Sequence, residues 1–392
     1  MATISPSSVG LGSFNVPSHS ILHSAARPEN PVQPTHTVSQ ARTKVSNSSL
    51  LAPIEHHIDH RFASSFCPTI RCVQQTTRLF RTNGPRKLLV RCLSVARTSE
   101  ASTEAEASYH VLPGGEQLEV LEKKAKKTAG APIVFIHGSY HAAWCWEMHW
   151  MGYFAEQGHD TYAISLLGQG NSTVVDGPVG GTIFSHAENI ADVIRARVGE
   201  RPVLVGHSFG GLVVQAYLAG AASAGDAARV FPPLAGAALL CSVPPTGNSE
   251  MVKRITMRTP IAAMKLTWSL AAKGFSKNLP LCRDSFFSSD MPDADVARYQ
   301  KLLAGSSKQP LIDLRAVSRD LPVKKPPEGD PPVLVMAAAD DFVVDKEGGE
   351  ETAAFYGTEA IVIPKIAHDV MLDVRWKDAA EYLLNWLGER GL

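Results

Sequence analysis

From residue 107 onward, the chain alternates between two hydrophobic patterns. Short apolar runs bounded by turn residues predict strands, at 132–138, 160–166, 202–207, 235–243, 332–338 and 360–364. Between them, apolar residues recur every three or four positions and predict helices, at 144–158, 182–199, 210–222, 347–356 and 376–387. Residues 108–123 add a predicted hairpin around Gly114-Gly115. Together these patterns predict an α/β fold, with a mostly parallel sheet covered by helices on both faces.

One long segment interrupts this alternation. Residues 247–328 contain no clear strand and show helical patterns instead, with Pro260 as an expected kink. The segment is too long for an ordinary connection between two core strands. We therefore expect an α/β core at 107–246 and 329–392, with an inserted helical lid at 247–328 over the carboxyl ends of the strands.

The N-terminal residues 1–99 differ from the rest in composition. They are rich in Ser and contain eleven Lys and Arg but only three acidic residues. This leaves 27 basic and 35 acidic residues, a net charge of −8, for residues 100–392. Ser-rich, Arg-rich and acid-poor N-terminal segments are typical of transit peptides, and the uncharged beginning favours the chloroplast. A disordered, weakly basic tail is the alternative.

Composition also limits the partners and the cellular environment that can be expected for this protein. The basic residues are scattered and the folded part is acidic, which disfavours a nucleic-acid partner. No apolar run approaches the eighteen or so residues of a transmembrane helix. Cys145, Cys241 and Cys282 lie in apolar stretches without zinc or disulfide spacing, so we expect buried thiols.

The sequence Gly206-His207-Ser208-Phe209-Gly210 joins a predicted strand to a predicted helix. The pattern G-x-S-x-G alone is common, but a strand before it and a helix after it are the context of a nucleophile elbow. Such a turn exposes the serine hydroxyl above the sheet, and the glycines allow the backbone to pass close to itself. We therefore predict Ser208 as a nucleophile supported by Gly206 and Gly210.

A serine nucleophile needs a histidine base and a group that orients the base. Of fourteen histidines only His368 follows Ser208, and it lies just beyond a predicted strand, as the order Ser, Asp, His requires. The sequence "VLVMAAADDFVVD" offers Asp340 and Asp341, with Asp345 farther along. The loop "CSVPPTGN" after the preceding strand carries no acid. The residues themselves leave Asp340 and Asp341 both open.

Two backbone N–H groups are expected to bind the oxyanion that such a nucleophile creates. One belongs to Phe209, directly after the nucleophile, and the other to Ser139 in the loop "FIHGSYH". His137 and Gly138 in this loop are expected to support the site, and His207 to pack or to order a loop. This chemistry needs no metal and no organic cofactor, and we predict none.

Residues 107–392 resemble the α/β-hydrolase superfamily. Five sequences match its strand-end motifs in order: "FIHGSYHAAWCW", "SLLGQGNS", "GHSFGG", "AADDFVVD" and "IAHDVMLD". The resemblance implies the α/β-hydrolase fold and favours Asp341, because an aliphatic residue usually follows the acid after two positions and Val344 fits that place. Ser165 departs from the family pattern, which commonly has an acid there.

A narrower likeness is to plant plastid α/β-hydrolases, among them esterases implicated in cleaving chlorophyll-type phytyl esters and supplying phytol for tocopherol synthesis. The sequences "GSYHAAWCW", "SLLGQG" and "CSVPPTGNS" carry it. It implies a serine hydrolase of the chloroplast, in the stroma or peripheral to the envelope or thylakoid membrane. The expected substrate is a lipophilic carboxylic ester, because an apolar lid favours such a ligand. A peripheral membrane contact is a further expectation.

Other activities of the same fold stay open. The sequence "HGSYHAAW" also resembles plant methylesterases, which act on small esters. Hydroxynitrile lyases share the triad, and some hormone receptors keep it while serving as binding modules. Haloalkane dehalogenases and epoxide hydrolases use Asp at the elbow, so Ser208 argues against both.

Overall fold

The structure, a computed structural model, describes residues 104–223, 231–326 and 331–392. The predicted leader at 1–99 lies outside these residues, so its targeting role stays a prediction. Within the described ranges, none of the helices has the length and apolarity needed to cross a membrane.

A single eight-stranded sheet forms the centre of the fold, in the order β1-β2-β4-β3-β5-β6-β7-β8. The strands are β1 (Glu106–Val111), β2 (Gln117–Lys123), β3 (Ile133–Ile136), β4 (Thr161–Ile164), β5 (Val203–His207), β6 (Gly236–Leu240), β7 (Val333–Ala338) and β8 (Ala360–Ile363). β2 is antiparallel to β1 and β4, and all other neighbours are parallel. The predicted mostly parallel sheet is confirmed.

The helices of the described residues connect these strands. They are α1 (Trp144–Glu147), α2 (Trp150–Glu156), α3 (Ile183–Val193), α4 (Phe209–Ser223), α5 (Ser249–Arg258), α6 (Pro260–Ala271), α7 (Leu279–Phe286), α8 (Asp293–Ala304), α9 (Leu314–Asp320), α10 (Lys346–Tyr356) and α11 (Trp376–Glu389). The single helix predicted at 144–158 is wrong, because the non-helical backbone of His149 (φ −144°, ψ −56°) separates α1 from α2.

Both faces of the sheet are buried against hydrophobic residues, and successive side chains of a strand belong to opposite faces. In β3, Val134 and Ile136 belong to one buried cluster, while Ile133 and Phe135 belong to the other. Phe135 stacks on Trp146, with ring centroids 4.8 Å apart. Aromatic side chains of α1 and α2 form much of this core: Trp146, Trp150 and Phe154 are fully buried, and Trp144 is partly buried.

The chain between β6 and β7 folds into the five helices α5–α9, where the sequence predicts the lid. Pro260 does not kink a helix: it begins α6 at a position where its missing N–H costs no helical hydrogen bond. The Tyr140 hydroxyl, in the loop after β3, donates to the Leu270 carbonyl of α6 at 2.8 Å. This contact ties the inserted helices to the loop that carries a predicted oxyanion donor. Their function as a lid stays a prediction.

Candidate active site

Ser208 occupies a sharp turn between β5 and α4. Its φ of 55° lies in the left-handed region, which is strained for a residue with a side chain. Its N–H donates to Leu240 O at 3.0 Å, and its carbonyl accepts from Gly211 N at 3.0 Å. The first bond ties the strained turn to the end of β6, and the second ties it to the first turn of α4, so the strand-to-helix geometry of a nucleophile elbow is held at both sides.

Glycines are required around this turn because the backbone passes close to itself. A Cβ added to Gly206 would lie 2.6 Å from Gly210 O, and one added to Gly210 would lie 2.3 Å from His137 O. A Cβ on Gly138 would lie 2.8 Å from the Cβ of Ser208. The loop after β3 is therefore seated directly against Ser208, and any side chain at these positions would separate them.

His368 and Asp341 form a buried pair at the same edge of the sheet. The Nδ1–H of His368 donates to Asp341 Oδ2 at 2.8 Å. Asp341 Oδ1 accepts from the N–H groups of Val343 at 2.7 Å and Val344 at 2.9 Å. Asp340 is exposed, so the structure brings Asp341, not Asp340, to the histidine.

The electrostatics of this pair suit a general base. Burial lowers the pKa of His368, but attraction to Asp341, their hydrogen bond and the nearby Asp369 outweigh it, and the pKa is raised above its usual value. A neutral imidazole with Nδ1–H on the aspartate leaves Nε2 as the proton acceptor.

His137 fixes the first peptide of the loop after β3. It is fully buried, and burial lowers its pKa to about 3, so the ring is neutral. Leu166 N donates to its Nε2 at 3.0 Å, so Nδ1 carries the hydrogen and donates to Gly138 O at 2.8 Å. Because the carbonyl and N–H of a trans peptide point in opposite directions, this bond also fixes the direction of Ser139 N–H.

Phe209 provides the second predicted oxyanion donor. It is the first residue of α4, so its N–H precedes the first hydrogen bond within the helix. Among the described residues, Ser139 N–H has no backbone partner either. Both predicted donors are therefore available, and α4 directs the positive end of its dipole toward Ser208.

Glu119 is a buried acid on β2 that the sequence did not single out. Ser165 stands where the family commonly has an acid, and its hydroxyl donates to Glu119 Oε2 at 2.6 Å. Ser165 Oγ in turn accepts from Ala143 N at 3.0 Å. A carboxylate from β2 thus replaces the missing one. The only sequence signal was an acid between Leu118 and Val120, both fully buried.

A second buried histidine–aspartate pair, also not predicted, lies beside the first. His141 Nε2 is 2.9 Å from Asp369 Oδ2, and both side chains are almost fully buried. The predicted ordering role of His207 fits its contacts, because its Nε2–H donates to His368 O at 2.9 Å. Burial lowers the pKa of His207 well below its usual value, so this ring is neutral.

Two sets of potential metal ligands in the described residues overlap the triad: His207, His368 and Asp369, and Cys241, Asp341 and His368. Within these sets, His368 Nδ1 is hydrogen-bonded to Asp341 and His207 Nε2 to the His368 carbonyl. Cys145, Cys241 and Cys282 are free and buried, as predicted, and burial raises the pKa of each thiol.

Two cavities lie close to the candidate site, and each is lined by sequence neighbours of Ser208 or Asp341 rather than by those residues themselves. The smaller, about 130 Å³, is lined by Phe209 and by residues after β6 and around α9: Val243, Thr246, Gly247, Asn248, Ser249, Val317, Ser318, Leu321 and Pro322. The larger, about 510 Å³, reaches Asp340 and Phe342 on either side of Asp341. Its other walls come from α6, α7 and the residues after α7, including Ala262, Leu266, Leu281 and Phe287. The inserted helices thus supply both apolar and charged side chains to this wall, the charged ones being Lys265, Arg283 and Asp284.

Comparison with known proteins establishes the family. Residues 133–381 match the model of the alpha/beta hydrolase family, which is more than half of the chain. The chain belongs to this family. The match begins at β3 and ends within α11, so it includes every predicted site residue.

Named relatives match over a shorter stretch. Esterase PIR7B of Oryza sativa subsp. japonica is 35% identical over 84 residues, which cover 21% of this chain and 31% of that protein. "Putative methylesterase 11, chloroplastic" of Arabidopsis thaliana is 32% identical over 84 residues, 21% of each chain. The matches thus span less than a third of these plant relatives.

Solved structures agree on the fold. An esterase from Exiguobacterium antarcticum superposes with a TM-score of 0.51 at 16% identity, covering 72% of this chain and 100% of that one. A hydrolase from Pseudomonas aeruginosa gives a TM-score of 0.50 at 19% identity, covering 72% and 98%. At these identities the likeness shows the fold alone.

Proposed function

We propose that this protein is a serine hydrolase that cleaves carboxylic esters through an acyl-enzyme. The observation that carries the proposal is the position of Ser208 on a strained turn, at the edge of the sheet where His368 is bonded to Asp341. A hydroxyl, a neutral imidazole and a buried carboxylate are the groups that nucleophilic acyl transfer needs.

In this mechanism, Ser208 Oγ attacks the ester carbonyl while His368 Nε2 accepts its proton. The oxyanion receives hydrogen bonds from the N–H groups of Ser139 and Phe209. Asp341 holds the imidazole tautomer and stabilises the imidazolium. The tetrahedral intermediate collapses, His368 returns the proton to the leaving alcohol, and the acyl group stays on Ser208. Water, activated by the same histidine, then hydrolyses the acyl-enzyme.

We propose a lipophilic substrate. Support comes from the apolar residues of α6 and α7 that wall the larger cavity, and from four apolar side chains on the outer face of the inserted helices. Those four are Met257, Ile261, Met264 and Trp268, each between 56% and 70% exposed. A phytyl ester of a chlorophyll-type pigment is the candidate from sequence resemblance. A chloroplast location is proposed with it, supported by the composition of residues 1–99 and by one relative named as chloroplastic.

A small-ester methylesterase is the second candidate, because one relative carries that name. A hydroxynitrile-lyase-like enzyme and a ligand-binding receptor use the same fold, and fold alone does not separate them. Measuring the activity of the purified protein distinguishes these candidates.

The test is hydrolysis by protein lacking residues 1–99, with Ser208→Ala as the control. The substrates are p-nitrophenyl esters of increasing acyl length, a methyl ester and a phytyl ester. We expect turnover that depends on Ser208 and increases with chain length or is highest for the phytyl ester. Activity confined to methyl esters or the shortest acyl chains would favour the methylesterase. Folded protein without turnover on any of them would contradict the hydrolase proposal.

A further inference from the structure

The loop after β3 and the turn containing His368 are joined by one buried contact. His141, three residues after Gly138, donates from Nδ1 to Ser139 O at 2.8 Å. Its Nε2 lies 2.9 Å from Oδ2 of Asp369, the residue that follows His368. The two side chains are 1% and 0% exposed. The ring thus joins two oxygens, one through each nitrogen: the Ser139 carbonyl and the Asp369 carboxylate.

The bond from His141 is the second of two histidine hydrogen bonds that fix the backbone of Ser139. The carbonyl before Ser139 N–H, that of Gly138, is held by His137, and the carbonyl of Ser139 itself is held by His141. Both peptide planes on either side of the Ser139 Cα are therefore fixed, which sets its φ and ψ. The direction of the predicted oxyanion donor then depends on both histidine rings.

The other end of the contact holds the base. Asp369 N donates to Phe286 O at 2.9 Å, so the segment after His368 is also anchored to α7. Asp369 Oδ1 lies 3.9 Å from Nε2 of His207, whose hydrogen is given to His368 O. His207 and His141 are themselves in edge contact, with ring centroids 5.8 Å apart.

We propose that His141 and Asp369 form a positioning pair. The pair holds the loop after β3, which carries the Ser139 donor, and the turn containing His368 at one fixed separation. The inference rests on the proposed hydrolase function, since it assigns the pair a role in that reaction. Neither residue touches the reacting atoms in this account. The pair acts through Ser139 at one end and His368 at the other.

A purely structural role would give a different result from a positioning role. Loss of a structural pair lowers stability but leaves kcat of the folded fraction unchanged. Loss of a positioning pair lowers kcat while KM changes little, because donor and base meet the substrate correctly only in the transition state. A displacement of about 1 Å costs about 100-fold in rate.

The variants are Asp369→Asn, which keeps shape and removes charge, and His141→Gln, which removes the link and keeps the Asp369 carboxylate. Asp373→Asn is the matched control: Asp373 is fully buried four residues after Asp369 and accepts from Ser288 N at 2.7 Å and Ser288 Oγ at 2.8 Å. For each variant, kcat, KM and the rate of fluorophosphonate attachment to Ser208 are measured and corrected for the folded fraction by near-UV circular dichroism. The double variant H141Q/D369N tests whether the two residues act together.

We expect kcat and the phosphonylation rate to fall about 10- to 100-fold in each single variant, with KM within about threefold of wild type. The double variant should lose no more than the worse single variant, because both changes break one contact. Asp373→Asn should unfold more easily and keep kcat. Wild-type kcat in both single variants would overturn the positioning role, as would an equal loss in the Asp373 control. If even the wild-type protein is not labelled at Ser208, the proposed function fails first, and this inference fails with it. Two single variants are used so that one unfolded protein does not remove the test.

Discussion

The Nε2–H of His207, the residue before the nucleophile, donates to the carbonyl of His368 across 2.9 Å. The last residue of β5 therefore holds the backbone of His368, the proposed general base. This bond gives the neutral, fully buried ring of His207 a hydrogen-bond partner at the elbow. The turn containing Ser208 and the segment containing His368 are therefore joined by a direct hydrogen bond.

The identity of the acid gives a first prediction. Asp341→Asn should lower kcat about 10⁴-fold, because the amide favours the wrong imidazole tautomer. Asp340→Asn should keep kcat on a short p-nitrophenyl ester within about twofold, because His368 is bonded to Asp341 and the Asp340 side chain is exposed at the rim of the larger cavity. Asp340 is the matched control, adjacent in sequence and exposed. Kinetics on a p-nitrophenyl ester measure both. Loss of activity in Asp340→Asn with normal turnover in Asp341→Asn would show the assignment to be wrong.

The close approach of Gly138 to the nucleophile gives a second prediction. In Gly138→Ala the new methyl would lie 2.8 Å from Ser208 Cβ and 3.1 Å from His207 O, so the loop must move. We expect kcat to fall about 100-fold. Gly152→Ala is the control, because its Cβ would meet nothing closer than Lys123 Nζ at 4.0 Å and lies inside α2. That change should leave kcat intact and favour the helix by up to about 1 kcal/mol. Unchanged kcat in Gly138→Ala would contradict the geometry.

Buried neutral histidines predict how stability depends on pH. Burial is the main cause of the lowered pKa values of His137, His186 and His207. Below about pH 6.5 these histidines become protonated in the unfolded chain but stay neutral in the folded protein. The free energy of unfolding therefore falls as pH decreases. His368 acts in the opposite sense: its raised pKa stabilises the fold below about pH 6.5, and this contribution is lost as pH rises through the folded value.

His186 isolates one such contribution away from the site. Its Nε2–H donates to Leu311 O at 2.9 Å, a bond that a glutamine amide can replace. In His186→Gln the dependence of unfolding free energy on pH, measured with urea between about pH 6.5 and 5, should flatten by up to about 1.4 kcal/mol per pH unit. An unchanged slope would mean that this ring does not resist protonation in the folded state.

The apolar outer face of α6 tests the expected membrane contact, which stays a prediction. Ile261 and Met264 are 70% and 68% exposed and lie three residues apart on one helix face. Replacing both with Ser should reduce co-sedimentation with liposomes and leave hydrolysis of a short soluble ester unchanged. Val111→Ser, on β1 at 58% exposure, is the control for general loss of apolar surface. Equal binding by wild type and the Ile261/Met264 variant would contradict the contact.

Local sequence patterns were enough to predict most of the strands and helices and to identify Ser208 as the candidate nucleophile. The strands beside Ser208 are short apolar runs with clear boundaries, and the only histidine after Ser208 is the one that meets Asp341. Asp340 and Asp341 could not be separated by residue type, because both are acids at a strand end. Only the backbone turn buries one and exposes the other.

Contacts between residues far apart in the chain could not be predicted from local sequence patterns. Glu119 and Ser165 are 46 positions apart, and His141 and Asp369 are 228 apart, so no local periodicity connects them. Within the insertion, α7 and α9 have eight and seven residues, too short to show a helical pattern clearly. The break at His149 is marked by no turn residue in the sequence, and the partners of its side chain, Tyr299 and Trp376, are distant in sequence.

The central claim, that Ser208 is an activated nucleophile, is tested most directly by fluorophosphonate labelling followed by mass spectrometry of the digested protein. We predict one adduct per chain, on the peptide containing Ser208, and its loss in Ser208→Ala and strong slowing in His368→Ala. An adduct on another residue, or equal labelling of Ser208→Ala, would contradict the claim.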